Sequence, residues 1–361
     1  MNFRKLFLVL LIVIFITPPC FAKDKVRVLS LDGGGIKSLI TLKMLAYIEK
    51  ETGKKTGEIF DYIAGTSSGG MLTLYLTMPM EHDSHKPRYS ANEVIELLQF
   101  DSRLIFQKKT SAKCLTKPAV QLFSTPYDLK TMMYMADNRF RENRMRDAIT
   151  DIFVLTFDTE TNMPVAFTSY NGDYSDTKMS TVAAATSVAP FYFSPINFYD
   201  KNTKKNRTLI DGGLVAKNPS VFAYEEAKKR NANKDVVMLS LGAGYQEKIG
   251  YNYDKLKNWG FFRYSLPTYT FMLDGVTNTN DIYMSNLAKI DKNFKYCRFQ
   301  PKLDKKDGFD NSPDNTEQEN FDILLGIGDR YVEAMKPELD KFIKEIKEEK
   351  KDQKQVNTDK V

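Results

Sequence analysis

The sequence predicts an α/β fold with a mainly parallel central sheet and a helical insertion, on three observations. A strand-like run, a glycine turn and a helical pattern occur in that order twice before residue 80. Four more strand-like runs follow residue 150. Between the two groups, residues 80–146 lose the alternation and carry Pro, Lys, aromatic and Met side chains, which reads as a helical insertion over the active edge of the sheet.

The elements follow in chain order. Arg4 and Lys5 precede an apolar run at 6–16, which Pro18 and Pro19 break before Cys20-Phe21-Ala22. That is the layout of an export signal cleaved after Ala22; the run is too short for a bilayer anchor. Residues 26–31 form a buried strand, broken by Asp32-Gly33-Gly34-Gly35. From Ile36, apolar residues recur at helical spacing through Leu39, Ile40, Met44 and Ile48, and Gly53 closes the helix. Residues 62–64 make a second strand, Gly65-Thr66-Ser67-Ser68-Gly69-Gly70 a second turn, and 71–78 a second helix. The sheet resumes at 152–157, 165–170, 208–210 and 236–241. Residues 225–335 continue the same fold, and 336–361 are a charged helix fading into a solvated tail.

Composition narrows the function. Lys and Arg number 52 against 46 Asp and Glu, a formal charge of +6. That balance argues against a nucleic-acid binder and suits association with an anionic membrane surface. Once the leader is removed, Cys114 and Cys297 are the remaining cysteines, expected to be free and buried. Two cysteines make no disulfide framework, and two histidines no zinc cluster, so no metal is assigned. The acidic stretch 304–317 does not have the spacing of a calcium loop and reads as solvated.

Three motifs carry chemistry. Gly65-x-Ser67-x-Gly69, between an apolar strand and an apolar helix, is the spacing that sets a serine on a sharp turn at a helix N-terminus. The run Asp32 to Lys37 points several amides of Gly33, Gly34 and Gly35 at one space, as an oxyanion hole requires. It fails as a P-loop because Ile36 separates glycine from Lys37, and as a dinucleotide fingerprint because position 38 is Ser. Asp211-Gly212-Gly213 sets a carboxylate at the C-terminal end of a strand, the edge where α/β folds bind ligands. A Ser-His-Asp hydrolase needs a late histidine, yet the only two are His82 and His85, in a polar stretch close behind the elbow helix and expected in a loop. An activated Ser67 must therefore give its proton directly to a carboxylate, and Asp211 is the best placed.

These blocks resemble the patatin-like phospholipases: Val28-Leu29-Ser30-Leu31-Asp32-Gly33-Gly34-Gly35-Ile36-Lys37, Gly65-Thr66-Ser67-Ser68-Gly69-Gly70 and Asp211-Gly212-Gly213, supported by 183–195 and by Leu239-Ser240-Leu241-Gly242. The resemblance implies a three-layer α/β/α domain over 26–224, here in an exported bacterial member that is secreted or periplasmic. It implies a lipid acyl hydrolase of phospholipase A type with Ser67 as nucleophile and Asp211 as proton acceptor. Gly33, Gly34 and Gly35 resemble the family's oxyanion hole, with the Ser68 amide as a further donor and Lys37 at the family's basic position. Ser38 departs from the usual glycine. No cofactor is implied. The expected partner is membrane phospholipid as substrate, with no nucleic acid, and dependence on a host activator is left open. The competing reading is a catalytically silent lipid-binding protein that keeps the fold. Acyl chains are expected to meet either a cover formed by 123–140 or none there, those residues being ordinary core; Phe191, Tyr192 and Phe193 are expected to be core.

Overall fold

The computed structural model describes residues 25–107, 125–246 and 251–347. The leader, Cys114, Phe123 and the end of the tail lie outside the described residues. In chain order the main elements are β1 (Lys25–Leu31), α1 (Ser38–Thr52), β2 (Tyr62–Thr66), α2 (Ser68–Thr77), α3 (Ala91–Ile105) and α4 (Leu129–Phe140). Then come β3 (Asp151–Asp158), β4 (Met163–Thr168), α5 (Met179–Ser187), β5 (Ile196–Asp200), β6 (Lys205–Asp211) and α6 (Ser220–Arg230). The chain finishes with β7 (Asp235–Leu241), α7 (Phe261–Ile290), β8 (Phe294–Phe299), α8 (Gln318–Ala334) and α9 (Lys336–Lys347).

Alternation along the strands explains the three layers. Leu29 and Leu31 of β1, Ile63 of β2, Val154 of β3 and Val237 and Leu239 of β7 enter one core, with α1, α2, α3, α8 and α9. Val26 and Val28, Tyr62 and Ala64, Phe153, and Val236 and Met238 enter a second core on the opposite face, under α6 and α7. A sheet covered on both faces needs apolar residues at successive positions, which is why these strands read as continuous apolar runs. The sheet order is β8-β7-β1-β2-β3-β6-β5, with β4 also paired to β3. From β8 to β3 every pairing is parallel.

Beyond β3 the direction changes. β4 and β6 pair with β3 antiparallel, and β5 pairs with β6 antiparallel. Short links dictate two of these pairings: the few residues between β3 and β4, and between β5 and β6, allow hairpins, whereas a parallel return needs a crossover of a dozen or more. The consequence lies in the register. β2 runs along β3 until Thr66 faces Leu155, and β6 comes the opposite way until Asp211 faces Thr156. The two strands thus meet end to end beside neighbouring residues of β3. Asp211 does close a strand, as expected, but an antiparallel one; only its halt part-way along β3 puts it at the edge where the parallel strands end.

Several expectations need correction. α2 starts at Ser68, so Gly65 and Thr66 belong to the strand and Gly69 and Gly70 to the helix. His85 lies in a short strand, Asp83–Pro87, of an antiparallel ribbon, and His82 in its turn; both are exposed. The helical part of the insertion joins the helix layer: Met132, Met135 and Phe140 are buried in the larger core, so the described part of 123–140 is core and forms no cover. α9 docks through Leu339, Phe342, Ile343 and Ile346, leaving its charges outside. Cys297 on β8 is free and half-buried.

The junction of β6 with β3 leaves no room for a side chain after Asp211. A Cβ at Gly212 would lie 2.4 Å from the Leu155 carbonyl oxygen. Gly212→Ala is expected to lower stability by about 1–3 kcal/mol, read as a reduced urea midpoint; an unchanged midpoint would show that the junction yields.

Candidate active site

The strand β2 delivers Ser67 to the one residue between it and α2. Its backbone is strained, at φ 56° and ψ −129°, a region costly for any residue with a Cβ. Close packing enforces that turn. A Cβ at Gly65 would stand 2.2 Å from the Gly69 carbonyl oxygen, and one at Gly69 would stand 2.3 Å from that of Leu31. The Ser67 N–H donates to Thr186 Oγ1 (2.8 Å), whose own hydroxyl donates to the Leu155 carbonyl (2.6 Å). Thr186, on α5, therefore ties the Ser67 backbone to the strand that sets the register.

The serine hydroxyl donates to Asp211 Oδ2 at 2.6 Å. The other oxygen, Oδ1, accepts the N–H of Gly213 at 2.6 Å. Asp211 is buried, and burial pushes its carboxyl up to about 6, even though the bonds from Ser67 and Gly213 pull the other way. Such a carboxylate can accept a proton near neutral pH far more readily than an exposed aspartate. Tyr269 of α7 lies near enough to feel its charge. Burial raises the Tyr269 phenol, with the Asp211 charge adding to the effect. The Phe191 ring meets Tyr269 edge-on, with centroids 5.4 Å apart. Phe191, expected in the core, is instead exposed and held at φ 72°; Phe193 is buried and Tyr192 half-buried.

The glycine loop lies beside the serine, anchored from three sides. Gly33 N–H donates to the Lys217 carbonyl at 2.9 Å, and Gly34 N–H donates to Ser68 Oγ at 2.9 Å. Gly35 opens a 3-10 turn, after which the Ile36 N–H donates to the Pro313 carbonyl. Ser38 Oγ lies 2.7 Å from Ser68 Oγ, so the hydroxyl that replaces the usual glycine adds a link from α1 to α2 and on to the loop. Lys37 turns outward, its ammonium donating to Asn311 Oδ1 at 3.0 Å. The stretch 304–317, expected to be solvated, thus braces the loop through Pro313 and Asn311, and Asp314 takes a hydrogen bond from the Tyr127 hydroxyl. Among the described residues no group of three His, Cys, Asp or Glu converges as a metal site.

Beneath the loop, Arg298 of β8 reaches past β7 to Asp32 at the end of β1. Its Nη1 donates to Asp32 Oδ1 at 2.7 Å and its Nη2 to Oδ2 at 2.6 Å, while Nη1 also donates to Ser240 Oγ at 2.8 Å. Burial pulls the guanidinium's pKa down, but the charge of Asp32 overrides it and leaves it raised. A bidentate pair of this kind fixes both position and orientation of the strand end that launches the glycines. Neither Arg298 nor Thr186 is visible as a site residue in the sequence. Thr186 lies inside the alanine-rich block at 183–195 that the motif comparison marks; Arg298 carries no local signal at all.

The buried carboxylate costs folding free energy once ionised. Its pKa is higher folded than the unfolded value of 3.8, so the native state binds the proton more tightly and stability falls as pH rises from about 4 through about 6. Asp211→Asn is expected to stabilise the fold by about 1–3 kcal/mol above pH 7 and by nothing at pH 3, measured by urea unfolding at both. Equal stability of the two proteins across that range would contradict the burial argument.

The chain matches the patatin-like phospholipase family over residues 29–224. Patatin group J-1 of Solanum tuberosum is 29% identical over 362 residues, covering 91% of this chain and 90% of that protein. Patatin-like protein 2 of Oryza sativa subsp. indica is 28% identical, covering 85% and 84%. A protein described as probable inactive patatin-3-Kuras 1, also from Solanum tuberosum, is 27% identical, covering 86% and 87%. Among solved structures, human GIVD cytosolic phospholipase A2 is similar with a TM-score of 0.48 and 9% identity, over 89% of this chain and 60% of that one. On the strength of a match spanning more than half its length, the chain belongs to the patatin-like phospholipase family.

Proposed function

We propose that this protein is a lipid acyl hydrolase of phospholipase A type, acting through a Ser67–Asp211 dyad and an acyl-enzyme. One observation carries the reading: a hydroxyl on a strained turn, 2.6 Å from a carboxylate whose burial raises its basicity. Family membership alone does not decide activity, since one of the similar proteins is described as probably inactive.

In the proposed reaction Ser67 Oγ attacks the ester carbonyl carbon while its proton passes to Asp211 Oδ2. The carbonyl oxygen becomes an oxyanion at the N-terminus of α2, where the Ser68 amide and the helix dipole favour negative charge. The Gly34 amide, now donating to a neutral hydroxyl, gains a stronger acceptor in the oxyanion. Gly33 is held by Lys217 and contributes by fixing the loop. Collapse expels the lysophospholipid oxygen, which takes the proton from Asp211 and leaves the acyl group on Ser67. Water then attacks the acyl carbon, giving its proton to Asp211, and fatty acid departs as Ser67 regains a proton. The substrate under this reading is membrane phospholipid, met after export through the leader at 1–22.

The direct test is a fluorophosphonate probe with intact-mass readout. Ser67 is expected to gain one covalent adduct. Ser67→Ala and Asp211→Asn are each expected to lose roughly a thousandfold or more in kcat/KM on a phospholipid ester. In the parent enzyme kcat/KM should fall tenfold per pH unit below about 6, because a protonated Asp211 cannot accept the serine proton. A folded protein that neither labels nor hydrolyses would be the silent lipid binder, and full activity in either variant would refute the dyad.

A further inference from the structure

We propose that the outer end of α7, with the segment leading into it, is the surface by which the protein docks on an anionic phospholipid membrane and receives substrate beside the dyad. The inference rests on the acyl-hydrolase reading for its purpose but on separate residues for its evidence.

Exposed large apolar side chains are concentrated there. Of the seventeen found among the described residues, seven fall between positions 251 and 272. Phe261 and Phe262 are the most exposed of all, at 82% and 86%, and Tyr253 is 78% exposed. Four of its rings form one cluster, and Phe261 and Phe262 meet edge-on beside it in the chain, with centroids 5.6 Å apart. The Tyr251 ring contacts Trp259 at 4.9 Å and Phe271 at 5.5 Å between centroids, and Trp259 contacts Tyr264 at 5.4 Å. An aromatic surface of this size marks a binding site on a folded protein. Its chemistry favours lipid over a protein partner: Trp, Tyr and Phe together, mixed with cations, populate the boundary between headgroups and acyl chains. Between 251 and 272 the basic residues are Lys255, Lys257 and Arg263 and the one acid is Asp254, which complements an anionic surface. No helix among the described residues is long and apolar enough to cross a membrane.

The same helix leads to the dyad. Eight residues after Phe261, about 12 Å along the axis, Tyr269 is within reach of the Asp211 charge, and Leu273 lies against Gly213. Further along, Asn280 is tied to the Asn218 carbonyl at 2.8 Å and Met284 is fully buried, so the inner half of α7 is fixed to the body. Pro267 interrupts the backbone bonding between the fixed half and the exposed end. A membrane seated on Phe261 and Phe262 therefore lies a few turns of one helix from Tyr269 and the Phe191 ring that meets it.

Trp259 is the chain's single tryptophan and sits within the patch, so its emission reports docking directly. The experiment uses Ser67→Ala, so that the lipid stays intact, titrated with vesicles of phosphatidylcholine and phosphatidylglycerol. The expected result is a blue shift of Trp259 emission, quenched by brominated acyl chains and weakened by salt. Adding Phe261→Ser and Phe262→Ser should raise the lipid needed roughly tenfold to a hundredfold. The same two changes in the active protein should leave hydrolysis of a soluble short-chain ester unchanged while slowing hydrolysis of vesicle lipid. Unaltered partitioning of the double variant would overturn the proposal. So would vesicle binding with no change at Trp259, or sedimentation showing the patch buried between two copies. If the active protein hydrolyses no ester yet docks through Phe261 and Phe262, the catalytic reading falls and the docking surface stands.

Discussion

Everything at this site depends on two strands meeting end to end along a third. β3 offers successive residues, Leu155 and Thr156, to the last residue of β2 and the last residue of β6. Their opposed directions point both C-terminal ends at the same gap. Ser67 and Asp211, 144 positions apart, become hydrogen-bonded neighbours because the strands terminate there. A side chain carried on a strand that stops short is placed by backbone pairing, the most rigid means a fold has, which suits the proposed dyad, with no imidazole to bridge a looser gap.

The surroundings spend stability to keep that geometry. Ser67 is held in a strained conformation by glycines on both sides and by Thr186 behind it. Asp211 is kept from water, so its ionised form is disfavoured and its basicity rises. Arg298 and Asp32 fix the end of β1, while the Lys217 carbonyl holds Gly33 and the Pro313 carbonyl holds Ile36 at the two ends of the glycine run. Strain and burial concentrated at one place, with compensating bonds around it, are what an active site demands of its scaffold.

Much of this was legible in the sequence because local rules governed it. The 26–31 strand, the glycine turn, the helix closed by Gly53 and the later strands all followed from apolar pattern and turn chemistry. The scarcity of histidine, with both copies in a polar stretch, pairs Ser67 with a carboxylate, and the two side chains are hydrogen-bonded. What could not be read was set by distance in the chain. β5 and β8 carry mixed side chains with no alternation to mark them, and the antiparallel return of β6 follows from loop lengths visible only once β5 is recognised. Arg298 lies 266 positions from Asp32, and 304–317 braces the loop through the Pro313 carbonyl and the Asn311 side chain, whose partners Ile36 and Lys37 lie far back in the chain and leave no local signal. The insertion's Met and aromatic residues read equally well as cover or core, since periodicity gives a buried face without saying what buries it.

The direct serine–carboxylate bond is open to a single measurement. Carbon-13 NMR of a protein labelled at aspartate, followed through a pH titration, reads the Asp211 carboxyl itself. The structure predicts an apparent pKa of about 6, moving higher in Ser67→Ala because the hydrogen bond that lowers it is gone. An Asp211 that titrates near 3.8 and does not respond to the loss of the Ser67 hydroxyl would contradict the account.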